Sequence, residues 1–222
     1  MATTITAQSI VDKAQIPLQD TTGVRWPDAE LLGWLNDGQR EIVVLKPNAF
    51  VINTTMKLAA GTKQGLPSNA AQLIDIVRNM GESGSTPGRP IRITDQKIMD
   101  AQVPNWHQQT ASAEVKHFMY SVLDPKHFYV YPPQPTVNQN YVEIVYGAIP
   151  DDAVLASVIS LDDIYQNALL DYILFRAFSK ESELADQTKA GLHQQNYIAS
   201  LTGKIKSEIG ASPNTHLSTT AK

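Results

Sequence analysis

The stretch Arg25-Trp-Pro-Asp-Ala-Glu-Leu-Leu-Gly-Trp-Leu-Asn-Asp-Gly-Gln-Arg-Glu-Ile-Val-Val-Leu-Lys-Pro47 has every part of an amphipathic helix. Pro27 suits the first turn, where a missing N–H has no partner to lose, and Pro47 disfavours helical geometry at the residue before it. Between them an apolar stripe recurs at helical spacing, formed by Leu31, Leu35, Ile42 and Leu45. A helix of about five turns with such a stripe needs a partner that buries it.

Composition and charge limit the possible classes of protein. With 222 residues, 42% of them hydrophobic and 18% charged, the chain can bury a substantial core. No apolar run approaches the ~20 residues of a membrane span, and the N-terminus lacks the pattern of a signal peptide. The absence of cysteine excludes disulfides and thiolate metal sites and suits folding in a reducing cytoplasm. A net charge of −4 provides no overall attraction to nucleic acid or to an acidic membrane.

The middle of the chain has mainly β patterns. β-Branched and aromatic residues predict strands at residues 49–58, 91–94, 115–122, 126–131 and 141–147, and Asp124-Pro125 predicts a hairpin turn. Glycine and proline predict turns at residues 60–63, 65–67 and 81–88. We expect residues 70–80 to begin as a helix and pass into a strand, and Thr94 to cap a short helix over residues 95–100. Trp106 is expected to anchor an ordered loop.

Both ends of the chain have helical patterns. Residues 6–15 predict a short helix that ends before Pro17. After Ile159, with Ser160 as its cap, a helix that is apolar over much of its girth is expected at the centre of a bundle. Its predicted core residues are Ile164, Ala168, Tyr172 and Phe175. A last helix has a seven-residue repeat, formed by Leu184, Gly191, Ile198 and Ile205, with Leu201 alongside.

These patterns predict an α+β fold. Helices from both ends of the chain form a bundle, and an inserted, mostly antiparallel β lobe lies between them in sequence. The expected divisions are residues 1–48 for the N-terminal helices, 49–150 for the β lobe, 151–209 for a C-terminal helical hairpin and 210–222 for a flexible tail.

No motif in the sequence indicates an enzyme or a metal centre. Gly81-Glu-Ser-Gly-Ser85 lacks the final glycine of a hydrolase elbow, and Gly61-Thr-Lys63 lacks the glycine-rich lead of a phosphate loop. The histidines never fall at the i, i+4 spacing of a helical metal pair, although His117 and His127 could face each other across the hairpin. We therefore expect no catalytic residue, no cofactor and no metal.

Two further groups of residues have both a structural and a functional interpretation. The acidic pairs Asp151-Asp152 and Asp162-Asp163 resemble an acid/base couple, but loop and helix-start positions explain them more simply. Aromatic residues of the β lobe could form a stacking platform for single-stranded nucleic acid. Basic residues are not densely interleaved with them, which favours cross-strand packing. The aromatic residues concerned are Phe118, Tyr120, Phe128, Tyr129, Tyr131, Tyr141 and Tyr146.

The helix sequence quoted above resembles the signature helix of tailed-phage head-to-tail adaptor proteins, a family that includes the tail tubular protein A-like proteins of short-tailed phages. Further segments resemble the same family in the same order, at residues 66–67, 73–80, 100–107 and 124–133. The resemblance extends over most of the chain, from about residue 5 to residue 180. The ordered recurrence of these segments is more specific than any one of them.

This resemblance implies a structural protein of the virion neck or tail, without catalysis, that is assembled in the host cytoplasm. It implies a homo-oligomeric ring of roughly twelve subunits between the portal protein and the tail nozzle protein. Genome DNA would pass through the channel of the ring without sequence-specific binding, and no membrane is involved. The C-terminal segment would dock on the portal, and the residues assigned to docking are Ile209, Gly210, Pro213, His216, Leu217 and Lys222.

Two other functions belong to different classes of protein. One is a virion-associated hydrolase or glycan-binding module that uses the aromatic β lobe, and it predicts release of fragments from, or retention on, host cell-wall polymer. The other is a packaging-related nucleic-acid binder, which predicts salt-sensitive retention on DNA.

Overall fold

A computed structural model describes residues 4–180 and 185–211. The α-helices of these residues are α1 Ala7–Leu18, α2 Asp28–Leu45, α3 Gln96–Gln102, α4 Gln166–Ser179 and α5 Gln187–Ala211. The strands are β1 Val51–Lys57, β2 Gly61–Gly65, β3 Ala70–Asn79, β4 Arg92–Ile93, β5 His117–Tyr120, β6 His127–Gln134 and β7 Tyr141–Ala148. The predicted α+β class, with helices from both ends of the chain flanking a β region, is confirmed. None of the described helices is both long and apolar enough to cross a membrane.

The chain divides into two compact units. The helical unit consists of Met1–Ala49 and Pro150–Lys222, and the β unit consists of Phe50–Ile149. Compactness does not establish that a segment folds alone, so the division into domains stays a prediction.

Helix α2 buries the apolar stripe predicted from its sequence. Leu31, Leu35 and Ile42 are fully buried, and Asp28 and Glu30 lie in the first turn, where carboxylates favour the positive end of the helix dipole. Leu45 is 49% exposed, so its assignment to the bundle core was wrong. It is the last residue of the helix, lies at the edge of the stripe and lines an open cavity.

The first and last thirds of the chain pack against each other, as the patterns predict. Helices α1, α2 and α4 are in mutual contact. Polar residues of α2 fix the segment that leads into α4: the Asn36 amide donates to the carbonyl of Ala153 (3.1 Å) and accepts from its N–H (2.9 Å). The Gln39 side chain accepts from the Ser160 N–H at 2.9 Å. The scaffold is therefore joined by contacts between residues more than a hundred positions apart.

The start of α4 differs from the prediction. Asp162 caps the 3-10 helix Asp163–Tyr165 that precedes α4, because its side chain accepts from the Ile164 N–H at 3.1 Å, and Ser160 caps neither helix. Ile164 lies in the short 3-10 helix before α4 and is 55% exposed, so its assignment to the bundle core was wrong. Within α4, Ala168 and Tyr172 are buried and Phe175 is partly buried.

Helix α1 also ends differently, because it continues through Pro17 to Leu18. Gln19 then closes it in the left-handed conformation (φ 56°), with its N–H directed to the carbonyls of Gln15 and Ile16. A proline in the last turn removes one helical hydrogen bond without ending the helix there.

Helix α5 packs on α4 along a seam one position away from the predicted repeat. Ala190, Tyr197 and Leu201 are buried, whereas Ile198 is 51% exposed. Gly191 and Ile205 are partly buried, and Leu184 lies outside the described residues. Leu201 is buried as predicted, whereas Ala190 and Tyr197 take the places expected for Gly191 and Ile198.

The β unit contains two sheets, with strand orders β1-β7-β3 and β2-β6-β5-β4. All pairs are antiparallel except β4 with β5, and the predicted hairpin of β5 and β6 is confirmed. The largest fully buried aromatic side chain of this unit is Trp106, whose Nε1–H donates to Asp100 at 2.8 Å. Trp106 therefore anchors its loop as expected.

Three local predictions in the β unit were wrong. Residues 61–65 form strand β2 and not turns, because they pair with β6 and because Gln64 bonds both the N–H (2.6 Å) and the carbonyl (2.8 Å) of Ala59. Residues 70–79 are strand throughout, paired with β7 and without a helical start. Asp95, and not Thr94, caps α3 by accepting from the Lys97 N–H at 2.7 Å.

Candidate docking surfaces

The structure separates the histidines that could have formed a metal site. His117 pairs with Tyr131 and His127 with Gly65, so the two do not face each other across the hairpin. His117 bonds Thr94 at 3.0 Å, and burial lowers the pKa of its imidazole. Within residues 4–180 and 185–211, no three histidine, aspartate or glutamate side chains converge as metal ligands would.

The acidic pairs have structural partners. Asp163 accepts from the Thr4 hydroxyl at 2.7 Å and from the backbone N–H groups of Thr4 and Ile5, which ties the N-terminal segment to the start of α4. The hydrogen bond from the Thr4 side chain is the main cause that lowers the pKa of Asp163. Asp152 forms an ion pair with Arg40 of α2. These two carboxylates therefore have local structural roles within the helical unit.

The aromatic residues of the β unit mostly pack within it. Phe118, Phe128 and Tyr146 are buried in its core. Tyr129 meets the Trp106 ring edge-on at 5.8 Å, and Tyr131 stacks on His117 at 6.4 Å. These contacts support the cross-strand interpretation over a stacking platform for nucleic acid.

An open cavity of about 410 Å³ lies between α2, α4 and α5 of the helical unit. We call it the helical groove. Its lining residues are Glu41, Leu45, Tyr172, Phe175, Gln194, Tyr197, Ile198, Leu201, Thr202 and Ile205. Most of this lining is aliphatic or aromatic, and Leu45 and Ile198 are about half exposed (49% and 51%). Exposed apolar grooves of this kind are typical of binding surfaces.

The wall of the helical groove contains a polar group without a partner. The Tyr197 hydroxyl is buried and has no hydrogen-bond partner in the part of the chain that the structure describes. Burial, together with the nearby Glu41 carboxylate, raises the pKa of this hydroxyl above its ordinary value, so it stays protonated and able to donate. A buried donor that lacks an acceptor costs free energy in the isolated chain.

Next to this groove, a buried lysine fixes the last turns of α5. Lys46 is 4% exposed, donates to the Tyr165 hydroxyl at 2.7 Å and forms an ion pair with Glu208 of α5. Burial alone would lower the pKa of Lys46, but the hydrogen bonds to Glu208 and Tyr165 outweigh it and raise the pKa. Lys204 also lies over the Tyr165 ring, 4.5 Å from its centre. These contacts set the position from which the chain continues beyond α5.

The turn between β5 and β6 presents two of the most exposed aliphatic side chains of the protein. We call residues 121–124 the β tip. Val122 is 80% exposed and Leu123 is 92% exposed. The turn is ordered, since the Leu123 N–H donates to the Ser121 hydroxyl (3.3 Å) and His127 bonds the Asp124 carboxylate (2.8 Å). Neither residue was predicted to belong to a binding surface, although a Val-Leu pair beside an Asp-Pro turn is an unusual place for aliphatic side chains.

The residues assigned to portal docking lie mostly beyond what the structure describes. Ile209 and Gly210 belong to the final turns of α5, and their side chains are not described. Pro213, His216, Leu217 and Lys222 lie outside the described residues. Their assignment stays a prediction.

Clustered aliphatic side chains that are exposed on ordered elements are typical of proteins that bind other proteins. The family model of the SU10 adaptor protein matches residues 5–217, and the chain belongs to this family. The protein is thus a phage adaptor with a structural role, the class that the ordered sequence segments predicted. The match includes α5, which the resemblance of individual segments did not reach. No curated protein matches the chain.

Proposed function

We propose that this protein is a head-to-tail adaptor that forms a ring of roughly twelve subunits between the portal protein and the tail nozzle protein of a phage virion. The observation that supports this proposal best is the adaptor-family match over residues 5–217. The helical unit supports it further, because a bundle tied by contacts between distant residues provides a firm body for side-by-side packing. The protein acts by fitting its neighbours and has no catalytic step.

Genome DNA passes through the channel of this ring without sequence-specific binding. A net charge of −4 supports this role, because a wall rich in lysine and arginine would hold the phosphate backbone and slow its passage. The subunits are made in the host cytoplasm and are incorporated into the neck of the virion.

Imaging of the protein mixed with its portal tests the proposal. Purified portal and adaptor are combined and examined by electron cryomicroscopy, with the portal alone as the control. We expect a ring of additional density on one end of the portal. Particles indistinguishable from portal alone would contradict the proposal.

The end of α5 and the residues that follow it provide the docking contact with the portal in this scheme. The assigned residues are Ile209, Gly210, Pro213, His216, Leu217 and Lys222. The contacts that a peptide segment gains on docking must offset the free-energy cost of the conformational entropy that it loses.

Truncation after Ala211 tests the docking assignment. The truncated chain keeps every element described above, so its circular dichroism spectrum is expected to match that of the full chain, whereas portal binding is lost. A variant in which residues 212–222 are replaced by a Gly-Ser sequence of equal length controls for length alone. Undiminished binding by either variant would overturn the assignment of Pro213, His216, Leu217 and Lys222.

A further inference from the structure

We infer that the free chain pairs with a second copy of itself through the outer edge of β1, so that two β1 strands run antiparallel and join two sheets into one. The contact is centred on Thr54, which lies opposite Thr54 of the second copy. A contact between two identical surfaces closes at two copies, so it differs from the contact that builds the proposed ring. The dimer is therefore a property of the free chain and goes beyond the proposed function.

Strand β1 lies at the edge of its sheet, and its outer side has no partner. In the strand order β1-β7-β3 it pairs only with β7. The Phe50 carbonyl accepts from the Ala148 N–H at 2.8 Å, so the even-numbered residues of this strand are the ones that bond β7. The odd-numbered residues direct their N–H and C=O groups outward, and within residues 4–180 and 185–211 these groups form no hydrogen bond. The outward-directed residues are Val51, Asn53, Thr55 and Lys57.

The other sheet edges are short, irregular or covered, whereas the edge of β1 is not. Strand β4 has two residues, the pairing of β2 shifts register, and residues 89–91 bond the outer side of β3 near its end. Strand β1 has seven residues in unbroken register with β7, no proline, and a single charge at its last residue, Lys57. Gly84 lies close to the Thr55 side chain but forms no hydrogen bond with the backbone of β1. An edge without a bulge, a proline or a central charge readily accepts another strand.

The sequence Val51-Ile-Asn-Thr-Thr-Met-Lys57 is complementary to itself in the antiparallel register centred on Thr54. In this register Val51 lies opposite Lys57 of the second copy, and Asn53 lies opposite Thr55. Each of these pairs joins two outward-directed residues, which exchange both N–H···O bonds. All the backbone groups that β1 leaves unbonded thereby find a partner.

The side chains on the other face of β1 fit the same register. Ile52 and Met56 are partly buried and pack against the apolar core of the β unit. In the joined sheet, Ile52 of one copy lies opposite Met56 of the other, so the apolar side continues across the contact. Moving the centre to Asn53 or Thr55 would leave one end of each strand without a partner. The register centred on Thr54 therefore forms the most hydrogen bonds, and it also keeps the two Lys57 side chains apart.

Disulfide formation tests this register, because the chain has no cysteine of its own. Facing residues of a non-hydrogen-bonded antiparallel pair have Cα atoms about 4.5 Å apart, within the reach of a disulfide. Thr54→Cys is therefore expected to form a disulfide dimer when the concentrated full-length chain is oxidised. Thr55→Cys is the matched control, since its Cα would lie about 8 Å from that of its own counterpart, beyond this reach.

A mixture of two variants extends the test to a second position of the register. Asn53→Cys and Thr55→Cys, which face each other across the contact, are expected to form a mixed dimer in preference to either disulfide homodimer. The exposed Val137→Cys (70% exposed) measures cross-linking through random collision. Cross-linking of Thr54→Cys no greater than that of Thr55→Cys or Val137→Cys would overturn the inference.

Charge at residue 51 tests the same contact without a covalent bond. Val51 is 41% exposed and lies opposite Lys57 of the second copy at both ends of the symmetric contact. Val51→Glu is expected to lower the Kd of the dimer by about threefold or more at low salt, and Val51→Lys to raise it by a similar factor. Sedimentation equilibrium measures the Kd, and circular dichroism confirms that both variants keep the fold. Equal effects of the two variants, or a wild type that stays monomeric at its highest soluble concentration, would contradict the contact.

The outcomes separate this inference from the proposed function. Rings on the portal use a different contact, so Val51→Lys is expected to form them as well as the wild type does. Loss of rings in this variant would show that another strand occupies the edge within the ring, and it would overturn the assignment of the edge to the free dimer. If the wild type forms no ring, the proposed function fails, and the cross-linking of the free chain still decides whether two β1 strands pair.

Discussion

Asp20 orders the loop that leads into α2. Its carboxylate accepts hydrogen bonds from the backbone N–H groups of Val24 (3.0 Å), Arg25 (2.7 Å) and Trp26 (2.8 Å). These bonds, first the one from Trp26, hold the pKa of Asp20 below the ordinary value of 3.8. A carboxylate that accepts several backbone N–H groups favours its charged form, so the loop depends on the ionisation of this residue.

Replacement of Asp20 by asparagine should therefore lower stability in a manner that depends on pH. Because the folded-state pKa is depressed, the contribution of Asp20 is complete above the unfolded-state pKa and is lost as the pH falls through the folded-state pKa. We expect Asp20→Asn to melt a few degrees below the wild type at neutral pH and at the same temperature as the wild type in strong acid. Thermal denaturation at several pH values measures the difference. Asp151→Asn, at an exposed loop position, should show no such dependence.

Lys46 and Glu208 should respond unequally to substitution, although they form one ion pair. Glu208→Ala leaves a buried ammonium group without its carboxylate, and we expect a loss of about 1–3 kcal/mol in the free energy of unfolding. Lys46→Met leaves a carboxylate that is 45% exposed and can be hydrated, so its main cost is the lost hydrogen bond to the buried Tyr165 hydroxyl, about 1 kcal/mol. Urea denaturation measures both, with the exposed Ser207→Ala as the control. A larger loss for Lys46→Met would contradict the asymmetry.

At the scale of elements, the crossing of α2 and α4 depends on one glycine. A Cβ atom on Gly38 would lie 3.0 Å from Tyr172 Cδ1 and 3.3 Å from Leu169 Cδ2, whereas a Cβ on Gly33 of the same helix would have nothing within 4 Å. We expect Gly38→Ala to destabilise the protein by about 1–3 kcal/mol through overpacking. Gly33→Ala should stabilise it by about 0.5–1 kcal/mol, because alanine favours the helix. Chemical denaturation compares the two, and equal effects would contradict the close packing.

Elements with a strong local pattern could be predicted from the sequence, and elements fixed by distant partners could not. Helix α2 has its turn signals and its stripe within one segment, and it was predicted nearly to the residue. Strand β2 begins and ends with glycine, which locally indicates turns, but pairing with β6 and the Gln64 side chain decide its conformation. In α5 the aliphatic repeat predicted that Ile198 is buried, whereas Tyr197 is buried instead. The face of α5 that packs on α4 includes the contact of the Tyr197 ring with the Tyr172 ring, which the sequence of α5 alone does not indicate.

For the candidate surfaces too, only features with a local sequence pattern could be predicted. The class of adaptor could be predicted because several segments of the sequence resemble that family in order. The helical groove could not, since its lining residues come from three helices that are distant in sequence. The β tip had a visible signal in Val122 and Leu123, but their exposure depends on the turn geometry that the hairpin imposes.

At the scale of the whole molecule, the β unit is expected to fold by itself. Strands β1 and β7 are neighbours with Val51 opposite Gly147, so the two ends of Phe50–Ile149 lie close together, and the unit has its own apolar core. Residues 50–149 expressed alone should give a β-type circular dichroism spectrum and one cooperative thermal transition. Residues 50–140, which lack the central strand β7, provide the control and should remain unfolded. An unfolded 50–149 fragment would contradict the division.

The distribution of tryptophan gives each unit its own optical reporter. Of the three indoles, Trp26 and Trp34 belong to the helical unit and Trp106 is fully buried in the β unit. Replacing Trp26 and Trp34 by phenylalanine would leave a single tryptophan, whose emission under excitation that spares tyrosine follows the β unit alone. Under the same excitation, Trp106→Phe would leave only the tryptophans of the helical unit. Intrinsic fluorescence can thereby show which part of the subunit changes when it joins its neighbours, without any added dye.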